Sequence, residues 1–249
     1  MKFRAVFLDI DDTLFDFRKS SFEALVTAFA EIGVSFTEAD MPHYEVYNNR
    51  MWEMFERGEI EKEHIYEERF RLYFAERGIE ADTAAFNRKY LYELAEGVNF
   101  MPHCAELLRA LHGRVKVFIL TNGDTYAQER RIEKSGFAPY FDGVFISEQL
   151  GCKKPEKAFY DKVFSLIGEE YRGCTLMVGD SLSSDMQGGR NAGIPTCFYG
   201  KREKADARCD YVIEDLLELP PLLGICRQMD VFRGRRVGHA LRRPAGEPD

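Results

Sequence analysis

Apolar runs of strand length recur along the chain, at 5–8, 115–120 (VKVFIL), 144–146, 175–178 (TLMV), 196–198 and 211–213. From the second run onward, stretches with helical spacing separate most of them, at 104–111, 126–135, 156–167 and 185–192. Strand and helix in alternation predict an α/β protein whose parallel sheet is covered by helices on both faces. Thr125-x-x-Gln128 and Ser184-x-x-Gln187 read as capping boxes at two helix starts, and Gly136 and Gly193 as left-handed C-caps.

Residues 17–100 follow a different pattern, with no strand in view. Ser20-x-x-Glu23 reads as a further capping box, followed by Phe22, Leu25, Val26, Phe29 and Ile32 at helical spacing. Gly33 stops that helix, and further helical stretches run through 44–57, 62–77 and 84–96, punctuated by Gly58, Gly78 and Gly97. The pattern predicts an all-helical insert between the first and second strands. The charge run EIEKEHIYEERFR at 59–71 reads as a solvated helix face.

The 249 residues suffice for one large domain or two smaller ones. A net charge of −8 and a pI near 5.3 argue against a general nucleic-acid binder. No run of 18 apolar residues exists, and the N-terminal apolar run is too short for a signal peptide, so a cytoplasmic protein is expected. The six cysteines (Cys104, Cys152, Cys174, Cys197, Cys209 and Cys226) form no C-x-x-C pair and read as reduced thiols, with no zinc site or disulfide frame. His43, His64, His103, His112 and His239 show no ligand spacing. The segment 227–249 holds six arginines against three acids, with Gly234, Gly238, Pro244, Gly246 and Pro248 among them, and reads as a solvated, flexible basic tail.

The candidate chemistry lies at the strand ends, because ligands of open α/β sheets sit at the carboxyl edge. After the first strand come Asp9, Asp11 and Thr13; after the second, Thr121, Asn122 and Gly123. Beyond the third come Lys153, Lys154 and Pro155, and after the fourth GDSLSSD with Asp180 and Asp185. Clustered carboxylates repel one another, so the set calls for a cation. Phosphoryl transfer through a carboxylate fits. Asp9 would attack phosphorus and form an aspartyl-phosphate. Asp11, on the same side of the chain if it stays extended, would protonate the leaving oxygen and later deprotonate water. Mg²⁺ on Asp9, the Asp11 carbonyl and Asp180 would offset the negative charge. Thr121 and the Asn122 amide would hold phosphoryl oxygens, and Lys154 would neutralise nucleophile and phosphate. Asp185 would orient Lys154 or a metal-bound water from behind.

The motifs DIDDT, TN, K before P, and GDSLSSD together resemble the haloacid dehalogenase superfamily over roughly residues 3–223. The resemblance implies a Rossmann-like parallel-sheet core from 1–16 and 101–226. It also implies a helical cap at 17–100 that closes over the site and reads the substrate. The acid at Asp11 resembles the phosphatase and phosphomutase branch. YNNRMWEMFERGEI and LMVGDSLSSDMQGGRNAGIPTCFY are similar to the bacterial pyrimidine 5′-nucleotidases of house-cleaning type. The implied substrate is a small phosphate monoester, nucleoside 5′-monophosphates first, with neither nucleic-acid polymer nor membrane as partner and a monomer or homodimer as the assembly.

Other readings stay open. Sugar phosphates are the rival substrates, whether for a phosphatase or a phosphomutase, and an inactive binding protein is the non-enzyme alternative. A phosphorylated receiver domain would need an acceptor Asp ending a third strand some 45 residues after the acid pair; residues 48–60 read as helix and hold no Asp. Phe15, Phe17, Tyr44, Tyr47, Trp52, Phe55 and Tyr66 could include a base-stacking platform, although a helical unit must bury most such residues in its own core.

Overall fold

The six apolar runs form six parallel strands: β1 (Ala5–Leu8), β2 (Lys116–Thr121), β3 (Gly143–Ile146), β4 (Thr175–Gly179), β5 (Thr196–Tyr199) and β6 (Tyr211–Ile213). They lie in one sheet in the order β3-β2-β1-β4-β5-β6. This computed structural model describes residues 2–225; Cys226 and the basic segment 227–249 lie outside the described residues.

The first strand in sequence is thus central in space. Along it the side chains alternate between two cores. Val6 and Leu8 face a cluster with Leu107, Leu108 and Leu111, whereas Ala5 and Phe7 face one with Phe159, Val163 and Phe164. Those leucines belong to α5 (Cys104–Leu111) and the second set to α8 (Lys157–Ile167), so both faces are covered. Leu8 pairs with Ile119 and with Val178, which brings the carboxyl ends of β1, β2 and β4 to one edge. All five described cysteines are free thiols. Among the described residues no helix is long and apolar enough to cross a membrane.

Between β1 and β2 run α1 (Phe17–Glu31), α2 (Met41–Glu56), α3 (Lys62–Arg77) and α4 (Thr83–Glu96). They pack on one another around an aromatic cluster that includes Phe29, Tyr44, Phe70, Tyr73, Phe74, Phe86 and Tyr90. Phe29 stacks on Phe36 with centroids 4.7 Å apart, and Phe70 meets Phe86 edge to face at 4.7 Å. The remaining helices complete the core: α6 (Thr125–Ser135), the short α7 (Ser147–Leu150), α9 (Gln187–Ala192) and α10 (Leu219–Leu222). Gly136 and Gly193 end α6 and α9 with φ of 71° each, as the sequence predicts.

The helix starts differ from expectation. α1 begins at Phe17, with Asp16 accepting from the Lys19 amide at 2.9 Å; Ser20 lies inside the first turn and donates to the Asp16 carbonyl. α6 is capped by Asp124, which accepts from the Ala127 amide at 2.9 Å. A carboxylate beside the positive end of a helix outcompetes a hydroxyl one turn or one residue later. Residues Leu182–Met186 form a single π turn before α9, with Ser181 accepting from the Ser184 amide at 3.1 Å. The charge run at 59–71 is not wholly solvated either. Its Lys62 and Arg69 are buried, on the same stripe of α3 as Ile65, Phe70 and Tyr73.

Asp16→Ala is expected to cost about 1 kcal/mol of folding stability through loss of the α1 cap. Urea denaturation checks this, with the midpoint falling and the slope unchanged. An unchanged midpoint would place the cap elsewhere.

Candidate active site

The carboxyl ends of the central strands line one cavity of about 230 Å³, with α2, α3 and α4 forming its opposite wall. Asp9, Asp11, Thr121, Asn122, Lys154, Asp180 and Asp185 all line it. Thr13 does not; it is fully buried. Lys153 also stays outside, over the Phe55 ring at 4.3 Å.

Lys154 is the hub. Its buried ammonium donates to Asp9 Oδ1 at 2.6 Å, to Asp185 Oδ1 at 2.7 Å and to the Leu120 carbonyl at 2.9 Å. Burial works against the charged lysine, yet Asp185 and Asp9 together hold it above its usual range. The Asn122 side chain clamps the Lys154 backbone, accepting from its amide at 3.0 Å and donating to its carbonyl at 2.9 Å. That side chain is therefore committed to positioning the lysine, and only the Asn122 backbone amide is left for a ligand oxygen. Thr121 Oγ1 accepts from the Gly123 amide and from Gln128 Nε2, both at 2.9 Å, which leaves its hydroxyl hydrogen to donate.

Asp185 reaches under the end of β4. Its second oxygen accepts from the Ser181 amide at 3.1 Å. A Cβ at Gly179 would lie 2.1 Å from that oxygen, so a glycine at the strand end makes room for the acid. The carboxylate oxygens of Asp9, Asp180 and Asp185 lie within 4.8 Å of one another. Burial pushes the Asp9 carboxyl up to about 8, with Lys154 pulling it back and Asp185 and Asp11 pushing it further. Burial, then the charges of Asp9 and Asp185, raise Asp180 well above the carboxylate range. One ammonium among three closely set acids, two of them buried, leaves negative charge in excess, which fits a hard divalent cation with oxygen ligands. Asp185 has both oxygens engaged, whereas the Asp180 side chain accepts no hydrogen bond from a described residue. Asp9 and Asp180 are thus the carboxylates free to hold such an ion.

Asp11 is not simply one step along an extended strand. Its Oδ1 accepts from Arg131 Nη1 at 2.5 Å and its Oδ2 from Gln128 Nε2 at 2.6 Å. Arg131 is buried against the rings of Phe15 and Phe17. Asp12, the third acid of the opening motif, has a different task. At φ 54° it accepts from the Phe17 and Arg18 amides and starts α1; burial raises its carboxyl to about 6.

Gln128 and Arg131 escape the sequence reading, which assigns Gln128 to a capping box. Their signal is the buried stripe of α6, where Ala127, Gln128, Arg131 and Ile132 share one face: two polar residues on a core-facing stripe need polar partners. The wall opposite the strands brings Asn48, Asn49, Trp52, Glu56, Tyr66 and Arg69 to the cavity. Of the proposed stacking residues, Phe17, Trp52 and Tyr66 line it, while Phe15, Tyr44 and Phe55 are buried in the packing. The two walls are joined by polar contacts. Lys62 donates to the Gly123 carbonyl at 2.7 Å and pairs with Glu148 at 2.9 Å; Tyr66 donates to Asp124; Ser183 donates to Glu56 at 2.5 Å.

The model of the haloacid dehalogenase-like hydrolases matches residues 3–193. The chain is 34% identical over 226 residues to the pyrimidine 5′-nucleotidase YjjG of Escherichia coli, covering 90% of this chain and 99% of that one. It is 36% identical over 200 residues to the pyrimidine 5′-nucleotidase PynA of Streptococcus pneumoniae, covering 80% and 84%. The crystal structure of the HAD-hydrolase YfnB of Bacillus subtilis bound to magnesium superposes with a TM-score of 0.85 at 32% identity, over 90% of this chain and all of that one. By its sheet, its four strand-end motifs and these relatives, the chain belongs to the haloacid dehalogenase-like hydrolases.

Proposed function

We propose that this hydrolase is a Mg²⁺-dependent phosphomonoesterase that works through an aspartyl-phosphate, with nucleoside 5′-monophosphates, pyrimidine ones first, as its substrates. The observation that carries the reading is the pairing of two differently held acids in one cavity: Asp9 on Lys154, and Asp11 on Arg131 and Gln128. One is set as a nucleophile beside a cation, the other as a proton carrier two residues beyond it. Residues 17–100 act as the cap on a core of 1–16 and 101–226.

Asp9 Oδ2, the oxygen not bonded to Lys154, attacks phosphorus in line with the ester oxygen. The bond from phosphorus to that oxygen breaks, and Asp11 gives it a proton. Water then attacks the aspartyl-phosphate, Asp11 takes its proton, and the Asp9 carboxylate leaves with phosphate released. Thr121 Oγ1 and the Asn122 amide hold the phosphoryl oxygens, and the charge of Lys154 offsets theirs and that of Asp9. Asp9, Asp180 and the Asp11 carbonyl would hold Mg²⁺, which draws charge from the phosphoryl group. Asp185 keeps Lys154 in place. YjjG and PynA, named as pyrimidine 5′-nucleotidases, support the substrate class, as do the aromatic residues Trp52 and Tyr66 in the cavity wall.

Asp9→Asn should abolish turnover, to below a thousandth of wild type, with an unchanged circular dichroism spectrum; Asp11→Asn should also be severely impaired. A tenth of the activity surviving in Asp9→Asn would rule out the covalent route. Chelation by EDTA should remove activity and Mg²⁺ restore it, and Asp180→Ala should raise the Mg²⁺ concentration needed. Full turnover in chelator would sink the metal assignment. Across a panel of phosphate monoesters, kcat/KM for UMP and dTMP should exceed that for hexose phosphates by at least tenfold, about 1.4 kcal/mol of transition-state binding. The reverse order would leave a phosphatase and end the nucleotidase reading.

A further inference from the structure

Four basic side chains are buried among the described residues: Lys62, Arg69, Arg131 and Lys154. Three have a carboxylate partner: Lys62 on Glu148, Arg131 on Asp11, and Lys154 on Asp9 and Asp185. Arg69 has no carboxylate within 4 Å among the described residues. Its side chain, from α3, is 2% exposed and lines the same cavity as Asp9 and Lys154. Nη2 donates to Asn87 Oδ1 at 2.6 Å and Nη1 reaches Asn48 Oδ1 at 3.3 Å, while Nε has no partner. The rings of Phe70 and Tyr90, each 4.8 Å from the guanidinium carbon, flank it. A guanidinium does not shed its proton, so this charge cannot neutralise itself on burial. Removing an ion from water without a counter-charge is unfavourable, and neutral amides and ring faces offset only part of the penalty.

We propose that Arg69 is a specificity residue for the leaving group, taking a ring carbonyl oxygen of a pyrimidine base whose face lies along Trp52 or Tyr66. The proposal rests on the nucleotidase reading and deepens it. A carbonyl suits the site better than a second anion. The rest of the wall carries Asp11, Asp12, Asp180, Asp185 and Glu56, which would repel a free carboxylate, whereas a polarised neutral oxygen meets the guanidinium without that repulsion. A buried donor built for one acceptor also rejects the molecule that lacks it.

The test compares UMP with ribose 5-phosphate, which keeps the phosphate and sugar and lacks the base. In Arg69→Met the ratio of their kcat/KM values should fall at least tenfold, mainly through KM for UMP. The melting temperature should stay level or rise, because the variant removes an uncompensated buried charge. Arg69→Lys, which keeps the charge and loses the planar fork, should lower the ratio as well, and it preserves the test if the methionine variant does not fold. A wild-type enzyme that favours UMP, with a ratio that both variants leave unchanged, overturns the inference alone. Equal losses on both substrates with a lower melting temperature make Arg69 a packing tie and also overturn it. A wild-type enzyme that does not favour UMP over ribose 5-phosphate overturns the nucleotidase reading and the inference together.

Discussion

The buried ammonium of Lys154 is the interaction on which the rest of the site depends. Each of its three hydrogens goes to a different part of the sheet edge: the end of β1 through Asp9, the end of β2 through the Leu120 carbonyl, and the loop after β4 through Asp185. Its own backbone is fixed by Asn122, the residue after β2. One cation thus ties together four segments distant in sequence. Removing one partner from a buried ion pair is far more costly than losing a surface pair, since the remaining charge keeps no compensation. The lysine holds the carboxylates close, and their mutual repulsion is what makes the edge receptive to a divalent ion.

Two helices from different parts of the chain bring further charge to this edge. α6 presents Gln128 and Arg131 to Asp11, and it starts at the turn that carries Thr121 and Asn122. α3 presents Arg69 to the opposite wall of the cavity and Lys62 to the Gly123 carbonyl. One wall of the cavity is therefore built by residues at and just after the strand ends, and the other by residues on the helices. A contact such as Lys62 on Gly123 links the two walls beside the turn that follows β2.

Much of this was legible in the sequence because backbone patterning and strand-end chemistry are local signals. AVFL followed by acids could be read as a strand entering a site, and its full burial and central position agree. What could not be read depends on which way a polar side chain turns. Gln128 satisfies a capping-box spacing, yet the Asp124 carboxylate caps α6 and Gln128 turns inward to Asp11. Arg69 and Lys62 lie in a run dense with glutamates, whose charge masks the 3–4 spacing they share with Ile65 and Tyr73. Asp12 resembles its neighbours in type, but its left-handed backbone directs it to the start of α1. Fold class follows from periodicity; the partner of a buried charge follows from three-dimensional packing.

The central place of β1 has a kinetic consequence. Ala5 pairs with Lys116 and Thr175, about 110 and 170 residues further on, so the sheet centre closes only after long loops have been restricted. A chain made from its N-terminus at about 5–20 residues per second keeps AVFL without strand partners until β2 and then β4 have emerged. The helices between β1 and β2 make shorter-range contacts and can gather their aromatic cluster during that interval. During synthesis, then, the helical wall of the cavity takes shape ahead of the sheet edge that faces it.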